Sequence, residues 1–425
     1  MNKMPAITDW KLTEHDKKIL RELAKQKIEI ANNPVNEERK QAWLALHDLK
    51  PIRPMILAEW GGIRDHNKPF APQLQCSENW TRNIESSLLS EIWVFNSLRD
   101  DHVVEPFINM NWFVECSDYG VQATVYEGNN EGGLGARRWD PPLKNLQDDF
   151  HKLENRTFSV NFAKTFAYKA MLEEIFSDIL PVRFRGSYWW TLGMTIEIVY
   201  LIGLEQLMLY MYDDPEGLHR LMEFMRDEYL RYIRWLEIHG LLNLNNENDY
   251  VGSGSTGYTS ELPKSSDNKK VISRDMWVLL ESQETVGVGP ELFEEFIFQY
   301  QLPIANRFGL LYYGCCEPLH TRWHIVSKFP NLRSVSIAPL CNQEFMAEAM
   351  GKNYVFSRKP NPTLISTANF DKKLIMDDLK KTITICKKHN CPLEIIMKDV
   401  HTLHEDPSRL AKWVEFAREA IAKWW

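Results

Sequence analysis

The chain has no Cys-x-x-Cys pair and no His-Glu-x-x-His, so the metal sites that spacing alone identifies are missing from its 425 residues. It also lacks a basic excess. Fifty Lys and Arg face 58 Asp and Glu, a formal charge of −8, which excludes the phosphate-driven footprint of a nucleic-acid binder. No long apolar run is present either. The most apolar helical stretch, Ile196 to Tyr212, is interrupted by Glu197 and Glu205, so a membrane span is not expected. The opening residues, MNKMPAITDWKLTEHDKK, lack the apolar core of a secretory signal. Seven cysteines, an odd number, suit free thiols in a reducing compartment, and a cytoplasmic protein is expected. No repeat of fixed period occurs. With 44% hydrophobic and 25% charged residues, the chain is neither collagen-like, nor disordered, nor a small disulfide scaffold.

What is present has a clear order. Residues 1–50 are rich in helix formers and read as an N-terminal helical extension, split at Asn33-Pro34. Residues 51–425 form the main body. PMILAEW (54–60) and VVEPFINMNW (103–112) are apolar runs of strand length, and the tract from Phe113 to Asp149 reads as a hairpin excursion plus a long loop. The last third is the most regular. LLYY, LRSVSIA, NYVFSRKP and LEIIMKD alternate with helical segments, and these strands are apolar on both faces. That pattern demands a parallel sheet with helical crossovers, and a closed (β/α)8 barrel, a TIM barrel, accommodates it best. An open doubly wound sheet is the alternative, but no glycine-rich dinucleotide turn follows these strands.

In such a barrel chemistry collects at the C-terminal ends of the strands. Those ends carry Glu59-Trp60, Asn111-Trp112, Tyr188-Trp189-Trp190, Glu281-Ser282-Gln283-Glu284, Cys315-Cys316-Glu317, Ala338-Pro339-Leu340-Cys341, Lys359 and Lys398-Asp399-Val400-His401. Thiolate, carboxylate and imidazole are zinc ligands. Cys316, Glu317 and His401 are the favoured metal set, with Cys315, His320, Asp399 and Cys341 in reserve. Each also has a plainer reading: Cys341 as packing, Glu317 and His320 as helix caps. Neighbouring strand residues point to opposite faces, so only one of Cys315 and Cys316 faces inward unless the chain turns there. Most of the 15 Trp belong to the core. Trp60, Trp112, Trp190, Tyr312 and Tyr313, at strand ends, are candidates to wall a pocket for a flat aromatic substrate or a large planar cofactor. Trp424-Trp425 reads as packing or an oligomer contact, a homodimer being the simplest assembly of that kind. The lysines at 380–381 and 387–388 read as a solvated helix face.

The run RGSYWWTLGMTIEIVYLIGLEQLMLYMYDDPEGLHRLMEFMRD (185–227), the segment LLESQETVGVGPELFEEFIFQYQLPI and the closing YGCCEPLH…YVFSRKPNP…EIIMKDVHTLHEDPSRLAKWVEFAREA resemble the uroporphyrinogen decarboxylase superfamily. The likeness covers about residues 180–425, and it is strongest to a branch containing corrinoid-dependent methyltransferases. The resemblance implies a (β/α)8 barrel. Two departures separate the branches. MILAEWGG carries no arginine cluster for propionate groups, which disfavours decarboxylation of a porphyrinogen. Tyr313-Gly314-Cys315-Cys316-Glu317 lacks the His-x-Cys of thiol-directed methyltransferases, and Asp399-Val400-His401 lacks their second Cys. By resemblance, the expectation is the methyl-donor half of an O-demethylase. A methyl group would leave a small methoxyaromatic for the Co(I) of a corrinoid on a separate corrinoid protein, with Zn²⁺ as Lewis acid. Glu281 or Glu284 would be catalytic, supplying a proton to the departing oxygen; the alternative for each is a structural hydrogen-bond acceptor. Glu59, Trp60, Trp190 and Tyr313 would bind substrate, and the loop from Gly128 to Gly135 would gate the partner. Two other classes remain: a lyase or decarboxylase of a small aromatic or tetrapyrrole acid gripping its carboxylate through Arg185 and Lys398, and a non-catalytic corrinoid-binding protein.

Overall fold

A computed structural model describes residues 10–64, 69–128, 137–264 and 270–425. Twelve strands are defined among them. In chain order they are β1 (Met55–Ala58), β2 (Ile108–Met110), β3 (Val114–Cys116), β4 (Thr124–Glu127), β5 (Arg137–Asp140), β6 (Phe158–Val160), β7 (Val182–Phe184), β8 (Trp277–Leu280), β9 (Leu310–Tyr313), β10 (Leu332–Ile337), β11 (Val355–Arg358) and β12 (Leu393–Met397).

Six strands make one parallel sheet in the order β1-β12-β11-β10-β9-β8. A separate parallel pair joins β2 to β7. Every residue of β1, β8, β9, β11 and β12 is buried. That is the burial required when a sheet is covered on both sides, and it is why these strands show no polar alternation. Between β9 and β12 each crossover carries helix: Trp323–Val326, then Gln343–Met350, then Lys372–His389. The C-terminal helix Arg409–Trp424 packs back on β1 and on Lys372–His389. The main core lies between sheet and helices, with Ile56, Val335, Phe356, Ile395 and Trp413 fully buried. Each such side chain contributes about 1.5–3 kcal/mol.

The excursion after β2 is antiparallel. β4 pairs with β5 as a hairpin, and β3 pairs with β6. Of the glycine-rich loop from Gly128 to Gly135, expected to gate the partner, all but Gly128 falls outside the described residues. Two helices precede β1, Glu14–Ala31 and Pro34–His47, and Asn33 caps the second through the Val35 amide. The long apolar helix expected from Thr195 is two helices, Thr195–Ile202 and Leu204–Asp213. Gly203 separates them at φ +90°, a conformation that only glycine adopts cheaply. No helix of the described residues is long and apolar enough to cross a membrane.

Candidate active site

The C-terminal ends of β1, β8, β9, β11 and β12 carry Glu59, Glu281, Cys315-Cys316-Glu317, Lys359 and Lys398-Asp399. The chain does turn after β9. Gly314 takes φ +93°, and a side chain there would meet Leu319 Cδ1 at 2.8 Å. The turn sets the two thiols side by side, with Sγ–Sγ at 3.6 Å, Cys315 buried and Cys316 exposed.

Cys315 sits in a polar nest. The Ser253 hydroxyl approaches its sulfur at 3.5 Å and the Lys398 ammonium at 3.9 Å, while Lys398 also donates to Ser253 Oγ at 2.8 Å. The Cys316 thiol reaches Asp399 Oδ2 at 3.8 Å, and that oxygen is 3.8 Å from Lys398 Nζ. A hydrogen bond from Cys316 pulls the Cys315 thiol below its ordinary range despite burial, and the Lys398 charge assists. The same hydrogen bond pushes Cys316 up. The two shifts run in opposite directions, so Cys315 is the sulfur that gives up its proton more readily. Burial raises Glu59 as well, against the opposing charge of Lys398.

Beneath this layer lies a second cation. Lys359 is buried, and its ammonium donates to Tyr312 OH at 2.9 Å and Ser357 Oγ at 2.5 Å. Desolvation depresses it to about 7. Glu394 faces the same interior, taking the Ser255 hydroxyl at 2.8 Å through Oε2, while its Oε1 has no partner.

The zinc set is not assembled. Glu317 is fully buried, and both oxygens accept backbone N–H groups: Oε1 from Ser282 at 2.9 Å and Oε2 from Cys315 at 2.8 Å. It ties the turn after β8 to the turn after β9. His401 is exposed, with Nδ1 3.2 Å from the Gly62 carbonyl. Among the described residues no group of three or more His, Cys, Asp or Glu is placed to hold a metal ion. Of the reserves, His320 Nδ1 accepts the Asn342 amide at 3.3 Å and Cys341 is buried packing. The residues as placed do not fit a zinc ion, and the cation beside the thiols is Lys398.

The two glutamates after β8 divide. Glu281 is fully buried, and Oε2 accepts the Gln283 amide at 3.0 Å while Oε1 has no partner. Burial first, and the neighbouring Glu317 and Glu284 next, raise it well above the usual carboxylate range. Glu284 accepts the Thr195 hydroxyl at 2.7 Å. A Cβ on Gly193 would lie 2.3 Å from the Glu281 carbonyl and 3.0 Å from Oε1. Gln301 clamps this approach by donating to the carbonyls of both Gly193 and Glu281 at 2.8 Å.

The aromatic residues separate in the same way. Tyr313 is fully buried, with its hydroxyl on Gln301 Oε1 at 2.9 Å, and Tyr312 donates to Ser357 at 2.7 Å. Trp112 stacks on Phe184 at 4.1 Å and Trp60 packs edge-on against Trp93 at 5.1 Å. Trp190 stays 45% exposed. With Tyr188, Trp189, Tyr229 and Tyr232 it lines a cavity of about 220 Å³ that also contains Arg156, Thr191, Leu192 and Glu197. The segment walling this cavity runs into Gly193, under Glu281. A larger cleft of about 850 Å³, lined by Arg39, Arg53, Asp101 and Arg418, lies where β1 begins, away from these strand ends.

Reasoning from sequence reads a Gly/Ser-rich loop after Tyr250 but assigns it no part in the site. Gly252, Gly254 and Gly257 spell G-x-G-x-x-G, yet the described residues that follow them, 258–264, form no helix, so the motif does not open a helix as a dinucleotide turn does. The glycines instead let backbone press against the parallel sheet: a Cβ on Gly252 would fall 2.2 Å from the Tyr312 ring. This packing delivers Ser253 to Cys315 and Lys398. The available signal was the alternation of Gly and Ser, which permits such an approach.

No protein-family model matches the chain, and no curated protein matches it in sequence. Among solved structures it is similar to a methyltransferase from Methanosarcina mazei, with a TM-score of 0.48 and 10% identity over 90% of this chain and 98% of that one. A likeness this distant fixes neither the reaction nor the residues.

Proposed function

We propose that the eight parallel strands β1, β2 and β7–β12 are those of a (β/α)8 barrel, and that the chain is a methyltransferase. In this reading it takes the methyl group of a small methoxyaromatic and passes it to the cobalt of a corrinoid carried by a partner protein. The sequence resemblance over residues 180–425 supports the reaction class. The observation that carries the substrate is the ring-lined cavity of about 220 Å³ on the segment that backs onto Glu281. Aromatic walls suit a single substituted ring.

An aryl ether gives up its methyl group only if the oxygen left behind is stabilised. The acceptor supplies the electron pair that forms the new bond to the methyl carbon. The chain supplies the proton. Burial and two neighbouring carboxyl groups favour the un-ionised form of Glu281, and its Oε1 has no competing partner. Donation to the departing phenolic oxygen replaces Lewis-acid activation and contributes typically ~10²–10⁴-fold. Glu317 and Gln301 hold the two turns and the Gly193 backbone on which this placement depends. The lyase reading asks Arg185 and Lys398 to grip a carboxylate. The Arg185 guanidinium is already taken by Asp249 and by Glu247 at 3.3 Å, and Lys398 donates to Ser253 at 2.8 Å with Asp399 at 3.8 Å.

The test is a panel of methoxybenzoates and methoxyphenols offered to the purified chain with free cob(I)alamin, followed by the cobalt absorbance spectrum. Conversion to methylcobalamin with some member supports the reading. A panel without turnover, in protein of native circular dichroism and with corrinoid protein also supplied, rejects it.

A further inference from the structure

The methyl-transfer reading leaves the Cys315-Cys316 pair without a chemical task. The pair has three properties that packing does not require. Its sulfurs are 3.6 Å apart, so closing an S–S bond of about 2.05 Å needs an approach of only about 1.5 Å. One sulfur is exposed and the other is buried against Lys398 and Ser253, so an oxidant can arrive at one side of a pair held in a polar nest. The turn is made by Gly314 at φ +93°, outside regular strand geometry, so no ladder hydrogen bond must break for the sulfurs to move. Among the described residues no other cysteine sulfur is hydrogen-bonded to either of them; Cys341, Cys386 and Cys391 are buried elsewhere in the core.

We propose that Cys315 and Cys316 form a reversible modification site that a hydroperoxide oxidises to a vicinal disulfide. The Cys315 thiolate attacks one oxygen of hydrogen peroxide. The O–O bond breaks, and the departing hydroxide takes a proton and leaves as water, giving Cys315 sulfenic acid. The Cys316 sulfur then attacks the Cys315 sulfur. Its own proton goes to the hydroxide displaced from the sulfenic acid, and a second water leaves. Two thiols and one peroxide become one disulfide and two waters, and the peroxide is the species reduced. Consecutive Cα atoms lie about 3.8 Å apart across a trans peptide, below the usual disulfide span of about 4.4–6.8 Å. The eight-membered ring is therefore strained and easily reduced, which makes the modification reversible. Oxidation removes the thiolate that faces Lys398 and leaves that ammonium without its sulfur partner.

The experiment uses the full, reduced chain. It is treated with hydrogen peroxide, blocked with iodoacetamide and digested with trypsin. Cleavage after Arg307 and Arg322 isolates both cysteines in one peptide with no other cysteine. The expected product is that peptide lighter by two hydrogens, unalkylated, and alkylated at both sulfurs once dithiothreitol is added first. In parallel, phenylarsine oxide, which needs two neighbouring thiols, should protect both sulfurs from iodoacetamide. Peroxide-treated peptide that remains doubly alkylated, or that carries sulfinic or sulfonic acid with no disulfide, overturns the proposal. So does alkylation unaffected by phenylarsine oxide. Neither readout depends on methyl transfer, so each stands or falls separately from the proposed function.

Discussion

Lys359 gives the sharpest quantitative expectation. The folded chain encloses its amine completely, with Tyr312 and Ser357 hydroxyls as partners and no carboxylate in contact. Desolvation takes it from 10.5 to about 7. At about 1.4 kcal/mol per unit, holding this proton costs the fold up to about 5 kcal/mol. The sign follows from proton counting. Between pH 7 and 10.5 the unfolded chain binds the proton and the folded chain does not, so stability rises with pH across that window. Below about pH 7 the cost is fully present, and above about 10.5 it is gone. Lys359→Met removes the group and with it this slope. Urea unfolding of both proteins at intervals from pH 6.5 to 10 measures the difference. Wild type should gain several kcal/mol relative to the variant over that range. The substitution also breaks hydrogen bonds to Tyr312 and Ser357, but that offset does not vary across most of the range. Parallel pH profiles would refute the reasoning, because they would mean the amine is as well solvated in the fold as outside it.

Other expectations follow from single contacts. Glu281→Gln preserves shape but removes the acidic proton, and methyl transfer should fall by ~10²–10⁴ with thermal unfolding little changed. Glu317→Ala strands the buried amides of Ser282 and Cys315, and should cost about 1–3 kcal/mol for each of them in denaturant unfolding. If Glu317 served a metal instead, metal content rather than stability would register the change. Asp16 accepts from the Ser77 amide and hydroxyl, from the Glu78 amide and from Thr81 Oγ1, and so anchors the helix Asn79–Trp93. Asp16→Ala should therefore destabilise the chain by about 2–4 kcal/mol in the same assay. Trp190→Ala should raise KM for the aromatic substrate while leaving the fold intact, since this ring is half exposed.

How much of this was legible in sequence depends on the range of the interaction. The strands β9 to β12 were readable because burial on both faces leaves a continuous apolar signature, and their short crossovers imply parallel pairing. The hairpin of β4 and β5 was readable from the glycine-rich tract between them. The break at Gly203 was not, because apolar helix formers continue on both sides and only the backbone angle marks it. The site was legible in position but not in partnership. Cys316, Glu317 and His401 do sit after strand ends, yet what each touches is decided by chain far away in sequence. Glu317 binds amides of its own turn and of Ser282, and His401 turns to Gly62. Lys398, weighed from sequence only as a carboxylate grip, is the counter-charge of Cys315 because the loop after Tyr250 brings Ser253 to both. Tyr313 illustrates the same limit: a ring at a strand end either walls a pocket or fills the interior, and here Gln301 draws it inward.

The most direct measurement follows a carbon-labelled methyl group on the reactive methoxyaromatic through one turnover with cob(I)alamin, comparing wild type with Glu281→Gln. The account predicts that label appears on cobalt in equal amount to the phenol released, and that the variant slows both together. Label recovered as methanol, or a variant as fast as wild type, would contradict it.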